Sequence, residues 1–246
     1  MGKLILLSGP SCVGKGPLCK ALYRFYPKIS QDWQHLVLYN SRAPRPGELD
    51  GVDYHFRSES DIEALQERDG FLVRRVRNDL QAVDAGAVCD KLATGDLFYE
   101  GNPFIAAELL ALARKEGLER RSVFLAPLSA AEIGELREPG RHVDMPVFVA
   151  RVMEKKLLRR ARRQKGELSL HDLQDIQTRA ASAWRELSFA PDFDIVLPNH
   201  DGEDSENWEQ FYYPLGDARR TLEDFVQFLN GADPEAAEKW SRQMTG

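Results

Sequence analysis

The sequence predicts an α/β fold in which a parallel sheet carries helices on both faces. Three observations predict it. Short apolar runs alternate with helix-patterned stretches along the chain. The first run, Leu4–Leu7, lacks the polar alternation of a half-exposed strand and reads as a strand buried on both faces. A glycine-bracketed loop then leads straight into a segment with helical spacing.

That segment, Leu18 to Tyr26, places Leu18, Leu22 and Phe25 on one face, and Pro27 stands where the helix should stop. Leu36–Tyr39 reads as a second strand, followed by a polar, Pro- and Gly-rich stretch from Asn40 to Asp53. Ser58 to Arg68 is predicted as a helix, with Ser60 three residues before Glu63 as a capping box. Phe71–Val76 is predicted as a strand, Ala85–Ala93 as a short helix, Leu97–Tyr99 as a strand and Ile105–Lys115 as a helix. Val123–Leu125 is the next strand, with long helices over Val147–Arg163 and Leu170–Leu187. Asp194–Leu197 is the last strand, and Leu222–Leu229 the last periodic helix. His200 to Glu209 reads as an acidic surface loop, and the tail from Gly231 as a peripheral helix or a frayed end.

The bulk numbers narrow the partners. With 246 residues, 43% hydrophobic and 29% charged, the chain can form one large domain or a core with a lid. A net charge of −6 argues against free nucleic acid or an anionic membrane as a partner. Cys12, Cys19 and Cys89 show no metal-ligand spacing, and an odd, sparse count fits a reducing compartment. The N-terminal apolar run is too short for a signal peptide or a spanning helix, so a cytoplasmic location is expected.

Gly9-Pro10-Ser11-Cys12-Val13-Gly14-Lys15 follows the first strand and opens the first helix, the G-x-x-x-x-G-K pattern in the context its mechanism needs. The glycines let amides turn inward around a phosphate, and the helix N-terminus adds partial positive charge. Lys15 is expected to reach the outer phosphates of a nucleoside triphosphate. Gly16 and Pro17 stand where a serine or threonine would help to hold Mg²⁺, and Pro17 lacks an N–H. A weaker grip on nucleotide is expected, by about 1–3 kcal/mol for one lost hydrogen bond. Cys12 has two readings: a thiol whose pKa the surrounding amides lower, or a small space-filling residue.

Residues 40–56, Asn-Ser-Arg-Ala-Pro-Arg-Pro-Gly-Glu-Leu-Asp-Gly-Val-Asp-Tyr-His-Phe, match without a gap the run TTR-x-PR-x-GE-x-x-G-x-DY-x-F. With the Gly-Pro-Ser-x-x-Gly-Lys loop, this resembles the guanylate kinase family. Weaker echoes are Phe124–Ser129, the spacing of Arg179 to Glu186-Leu187, and Ile195–Asn199. The resemblance covers most of the chain to about Leu229. It implies a P-loop nucleoside-monophosphate-kinase-like fold over residues 1–230. An acceptor-binding insert lies at about 36–95, a lid at about 137–178, and a tail at 231–246. It implies ATP and Mg²⁺ as cofactors and a nucleotide or phosphorylated metabolite as partner. The donor would lie on Gly9, Pro10, Ser11, Cys12, Val13, Gly14, Lys15 and Gly16. Arg42, Arg45 and Tyr54 would grip the acceptor phosphate, since paired arginines give bidentate hydrogen bonds to phosphate oxygens. Arg179 and a lid arginine, for which Arg163 stands among Arg159, Arg160, Arg162 and Arg163, would stabilise the transferring group.

The family pattern breaks where it would read guanine. Leu38 and Val73 occupy the positions of its serine and glutamate. Asn78–Val83 replaces a run that carries a phosphate-contacting tyrosine, leaving Gln81 as a candidate acceptor contact. Glu100 keeps one acid of a D-x-D step, placed to contact the acceptor or to act on Mg²⁺ through water. Two readings follow: an active kinase with a different acceptor, or a catalytically impaired binding module of the same fold.

Overall fold

The computed structural model describes residues 2–44 and 47–245, so Arg45 lies outside the described residues. In chain order the elements are β1 (Leu4–Ser8), α1 (Lys15–Phe25), α2 (Pro27–Ser30), β2 (Gln34–His35), β3 (Leu38–Asn40) and β4 (Tyr54–Phe56). Then come α3 (Glu59–Glu63), β5 (Phe71–Val76), β6 (Asp79–Asp84), α4 (Ala85–Thr94), β7 (Leu97–Gly101) and α5 (Pro103–Glu116). The last are β8 (Arg120–Ala126), α6 (Ala130–Leu136), α7 (Met145–Lys165), α8 (Leu170–Leu187), β9 (Ile195–Pro198) and α9 (Gly216–Leu229). One sheet has the order β2-β7-β1-β8-β9, with β2/β7 and β8/β9 parallel, as the apolar runs predict. A second sheet, β4-β3-β6-β5, is mixed, because β5 and β6 form a hairpin. Among the described residues no helix is long and apolar enough to cross a membrane.

The chain divides into two compact units. The first comprises Met1–Leu6 with Asp32–Arg121. Its mixed sheet has two unlike faces, because side chains alternate along each strand. One face packs Val73, Leu80 and Ala82 with Ile62 and Leu65, and Tyr39 and Phe71 lie against this cluster. The cross-strand partners Leu38↔Tyr54, Asn40↔Phe56, Asn40↔Gln81 and Arg74↔Gln81 put the polar residues on the other face. Two expectations change here. The run Leu36–Tyr39 is not one strand: β2 and β3 belong to different sheets. The helix expected over 58–68 is short, and turns 3₁₀ from Ala64 to Glu67. Its capping box is Ser58 with Asp61, two residues earlier than the Ser60–Glu63 pairing.

The second unit comprises Leu7–Gln31 with Ser122–Gly246. Here α7 packs on α8. The buried side of α7 carries Met145, Val149, Met153 and Leu157, spaced one per turn. That of α8 carries Ile176, Ala180, Ala183 and Leu187. Over its described residues the tail forms no α-helix, only a 3₁₀ turn at Arg242–Met244, and it is tied down rather than frayed. Glu238 exchanges two backbone hydrogen bonds with Val196 of β9, 2.9 and 2.8 Å. Its carboxylate accepts the Ala130 N–H at the start of α6, 2.9 Å, and the Trp240 indole N–H, 2.6 Å. Trp240 is buried. A large aromatic with a polar handle has found both an apolar seat and a hydrogen-bond partner.

Candidate functional site

The phosphate loop lies in the second unit and runs from buried β1 into α1. Gly14 is the N-cap of α1, with φ of 107°. A Cβ there would sit 2.5 Å from Asn199 Nδ2 and 2.8 Å from the Asp201 carbonyl oxygen, so both the backbone angle and the space require glycine. Lys15 is buried, and its ammonium donates to the carbonyl oxygens of Gly9 and Pro10, 2.9 Å each. Cys12 is fully buried and adopts φ of 67°. Burial, reinforced by Glu203, pushes its thiol up to about 12. The lowered-pKa reading therefore fails: desolvation of a thiolate outweighs the neighbouring Arg160 and Lys156. Pro17 sits harmlessly in the first turn of α1, and a Cβ on Gly16 would meet nothing within 4 Å.

The chain after β9 is built into this loop, which motif reading alone did not show. Asn199 is fully buried and its Nδ2 donates to the carbonyl oxygens of Val13, 2.7 Å, and Asp201, 2.8 Å. The Trp208 indole N–H donates to the same Asp201 oxygen, 2.7 Å. The Asp201 carboxylate accepts from the Ala218 N–H, Asn207 Nδ2 and Ser205 Oγ. Burial would raise its pKa, but these donors hold it below the usual carboxylate range. The signal available in sequence was the polar run starting at Asn199, directly after the last strand.

A cavity of about 470 Å³ opens beside the loop, lined in part by Gly16, Pro17, Lys20, Arg160, Glu203 and Trp208. Arg160 reaches it from α7. Lys156, Arg159, Arg160 and Arg163 recur at helical spacing and form one cationic face. Arg160 pairs with Glu203, 2.5 Å, and Arg163 with Glu206, 2.6 Å. Arg163, the lid arginine expected from sequence, is thus engaged by the acidic loop, while Arg160 lines the cavity. On α8, Arg179 is forked onto Asp175 one turn earlier, 2.9 and 3.0 Å.

The acceptor-side residues lie in the first unit. Arg42 makes a two-pronged ion pair with Glu48, both contacts 2.6 Å. Its guanidinium carbon lies 5.1 Å from the Tyr54 ring centre and 5.4 Å from that of Phe56. Burial opposes its charge, and Glu48 more than restores it, raising the pKa. Gln81 is buried and its Oε1 accepts from Asn102 Nδ2, 2.8 Å. Asn102 also caps α5, accepting from the Ile105 N–H. Glu100 is exposed on β7.

The two positions at which the family pattern reads guanine do not share a face. Leu38 lies on the polar face with Asn40 and Gln81, whereas Val73 packs in the apolar cluster on the other side. The β5 residue opposite Gln81 on the polar face is Arg74, joined to Glu108 of α5 at 2.6 Å.

Known proteins resemble this chain in sequence and in fold. A family model described as guanylate kinase matches residues 1–80. The chain is 33% identical over 177 residues to a guanylate kinase from Nostoc sp. (strain PCC 7120 / SAG 25.82 / UTEX 2576), covering 72% of this chain and 81% of that one. It is 32% identical over 203 residues to a guanylate kinase from Trichormus variabilis, covering 82% and 84%. The crystal structure of guanylate kinase from Anaplasma phagocytophilum superposes with a TM-score of 0.54 over 93% of this chain and 85% of the other, at 17% identity.

Proposed function

Because the chain belongs to the guanylate kinase family, we propose that it moves the γ-phosphoryl group of ATP to a nucleoside monophosphate other than GMP. Membership makes it a P-loop phosphotransferase, and ATP-dependent transfer to a nucleoside monophosphate is the activity that membership supports. The departure from GMP is this chain's own, and Val73 carries it. Where the family pattern has a glutamate that accepts from the guanine edge, this side chain is 7% exposed among Ile62, Leu65, Leu80 and Ala82. Leu38, at the serine position, is 3% exposed and equally unable to accept. With Val73 turned to the apolar cluster and Leu38 apolar on the other face, neither position offers an acceptor to guanine N–H groups, and each group left unpaired costs about 1–3 kcal/mol.

In this reading the amides from Gly9 to Gly16 and the Lys15 ammonium hold the donor phosphates. The cavity beside Gly16 and Pro17 takes the donor nucleoside, because it opens at the loop end that faces the α-phosphate. Arg42 and Tyr54, with Arg45, grip the acceptor phosphate. Gln81 and Glu100 add acceptor contacts, and Arg179 with Arg160 or Arg163 stabilises the transferring group. The acceptor-binding insert is assigned to about 36–95 and the lid to about 137–178.

The residues present do not suit a protein-held Mg²⁺. No hydroxyl follows Lys15, and no group of three or more His, Cys, Asp or Glu among the described residues is placed to hold a metal. Mg²⁺ therefore enters as the chelate of ATP, part of the substrate. A second reading, a binding module with impaired catalysis, is favoured by Pro17 alone, which removes a donor from the loop.

The deciding experiment assays GMP, dGMP, AMP, CMP, UMP and dTMP, each with ATP and Mg²⁺, on wild type and Lys15→Ala. The expected result is turnover of one non-guanine acceptor, lost by orders of magnitude in Lys15→Ala while the fold persists. GMP turnover above all the others would overturn the acceptor assignment. No turnover with any acceptor would favour the binding module.

A further inference from the structure

The segment after β9 presents Glu203, Asp204 and Glu206 to the cationic face of α7, and every cation of that face is taken. Lys156 donates to the His200 carbonyl oxygen and stands 3.9 Å from Asp204 Oδ1. Arg159 lies 3.4 Å from Asp204 Oδ2. Arg160 holds Glu203 at 2.5 Å. Arg163 holds Glu206 at 2.6 Å and donates to the Asp204 carbonyl oxygen at 3.0 Å. The acidic segment is also pressed against the phosphate loop. A Cβ on Gly202 would sit 2.2 Å from the Cys12 carbonyl oxygen. The Cys12 thiol feels the charges of Glu203, Asp204, Arg160 and Lys156 together.

We propose that the acidic segment Glu203–Glu206 is an internal stand-in for the donor's polyphosphate, holding the α7 cations until a triphosphate displaces it. The inference rests on the donor reading of the phosphate loop. Two observations carry it beyond an ordinary network of surface ion pairs. The first is the match of charge and place: three carboxylates meet four cations, and one of the pairs, Arg160 with Glu203, lines the cavity beside the loop. The second is incomplete satisfaction. Arg160 Nε and Asp204 Oδ1 are both buried and neither has a hydrogen-bond partner. Buried polar atoms are normally paired, and a triphosphate offers more acceptor oxygens than one carboxylate, with stronger charge-assisted bonds. The exposed Arg163–Glu206 pair holds only weakly, so a multiply charged ligand can begin the displacement there.

The test uses ATP and inorganic tripolyphosphate, which carries the charge without a base. In the full chain, Glu203→Gln, Asp204→Asn and Glu206→Gln are combined, and both ligands are titrated calorimetrically at low and high salt. The expected result is at least fivefold tighter binding of both ligands than by wild type, with a margin that shrinks as salt screens the charges. Equal or weaker binding by the variant overturns the proposal. A second measurement needs no variant: hydrogen exchange of residues 203–206 in wild type should speed up when tripolyphosphate is added. Unchanged or slower exchange contradicts displacement. If neither wild type nor the triple variant binds either ligand, the donor reading of the loop falls, and this proposal with it. Binding by wild type that Lys15→Ala abolishes upholds the donor reading whatever the triple variant shows.

Discussion

At the scale of single residues, environment overrides motif. Cys12 sits in a loop of inward amides, yet its burial and neighbouring carboxylates keep it a thiol. Cys89 is only half-buried. Iodoacetamide on the native protein, read by mass spectrometry, should therefore modify Cys89 and leave Cys12 untouched; early labelling of Cys12 would contradict the raised value. Val73 makes the same point from the other direction. Restoring the family's glutamate by Val73→Glu should not restore guanine reading, because it would bury a carboxylate in an apolar cluster with no partner. We expect a loss of about 3–5 kcal/mol in urea unfolding. A variant of wild-type stability with new GMP turnover would show that the side chain can turn to the other face.

At the scale of elements, what could be read from sequence depended on how local the determinant was. The phosphate loop, the α8 boundaries and the strands β1, β5 and β8 follow from apolar period and from glycine and proline punctuation, which act within a few residues. The division of residues 34–40 between two sheets was invisible, because Leu36–Tyr39 is an unbroken apolar run and only distant partners assign its halves. The ion pairing of Glu203–Glu206 was hidden for a similar reason. Its cations lie more than forty positions away, as in the pairing of Arg160 with Glu203, so the run looked like solvated loop. His200 is a third case. It lies between Asp217 and Glu132, joining the starts of α9 and α6. Burial opposes its charge, but hydrogen bonds to Asp217 and Glu132 prevail and raise its pKa. A raised folded value means that the imidazolium adds stability fully below the ordinary histidine range. That contribution fades as pH climbs through the folded value. Wild type should therefore exceed His200→Gln in thermal stability more at about pH 6 than at about pH 9. Arg220 also pairs with Asp217, 2.5 Å, in wild type and variant alike. A difference independent of pH would assign the gain to packing.

At the scale of the whole chain, the sequence held the family, and withheld long-range contacts such as that of Asn199 with Val13 in the glycine-bracketed loop. The last segment shows what such a contact can guard against. β9 is the outermost strand of its sheet, and Glu238 pairs with it at Val196 while Trp240 is seated nearby in the sequence. An unpaired strand edge is a template on which other chains can add. Trimming the chain before Glu238 would uncover Val196, so the first symptom of a clipped C-terminus should be self-association through edge pairing. Light scattering of a Pro234 truncation, followed at rising concentration, should show particle growth where the full chain stays constant; a truncated chain that stays dispersed would show that the edge is guarded by something else.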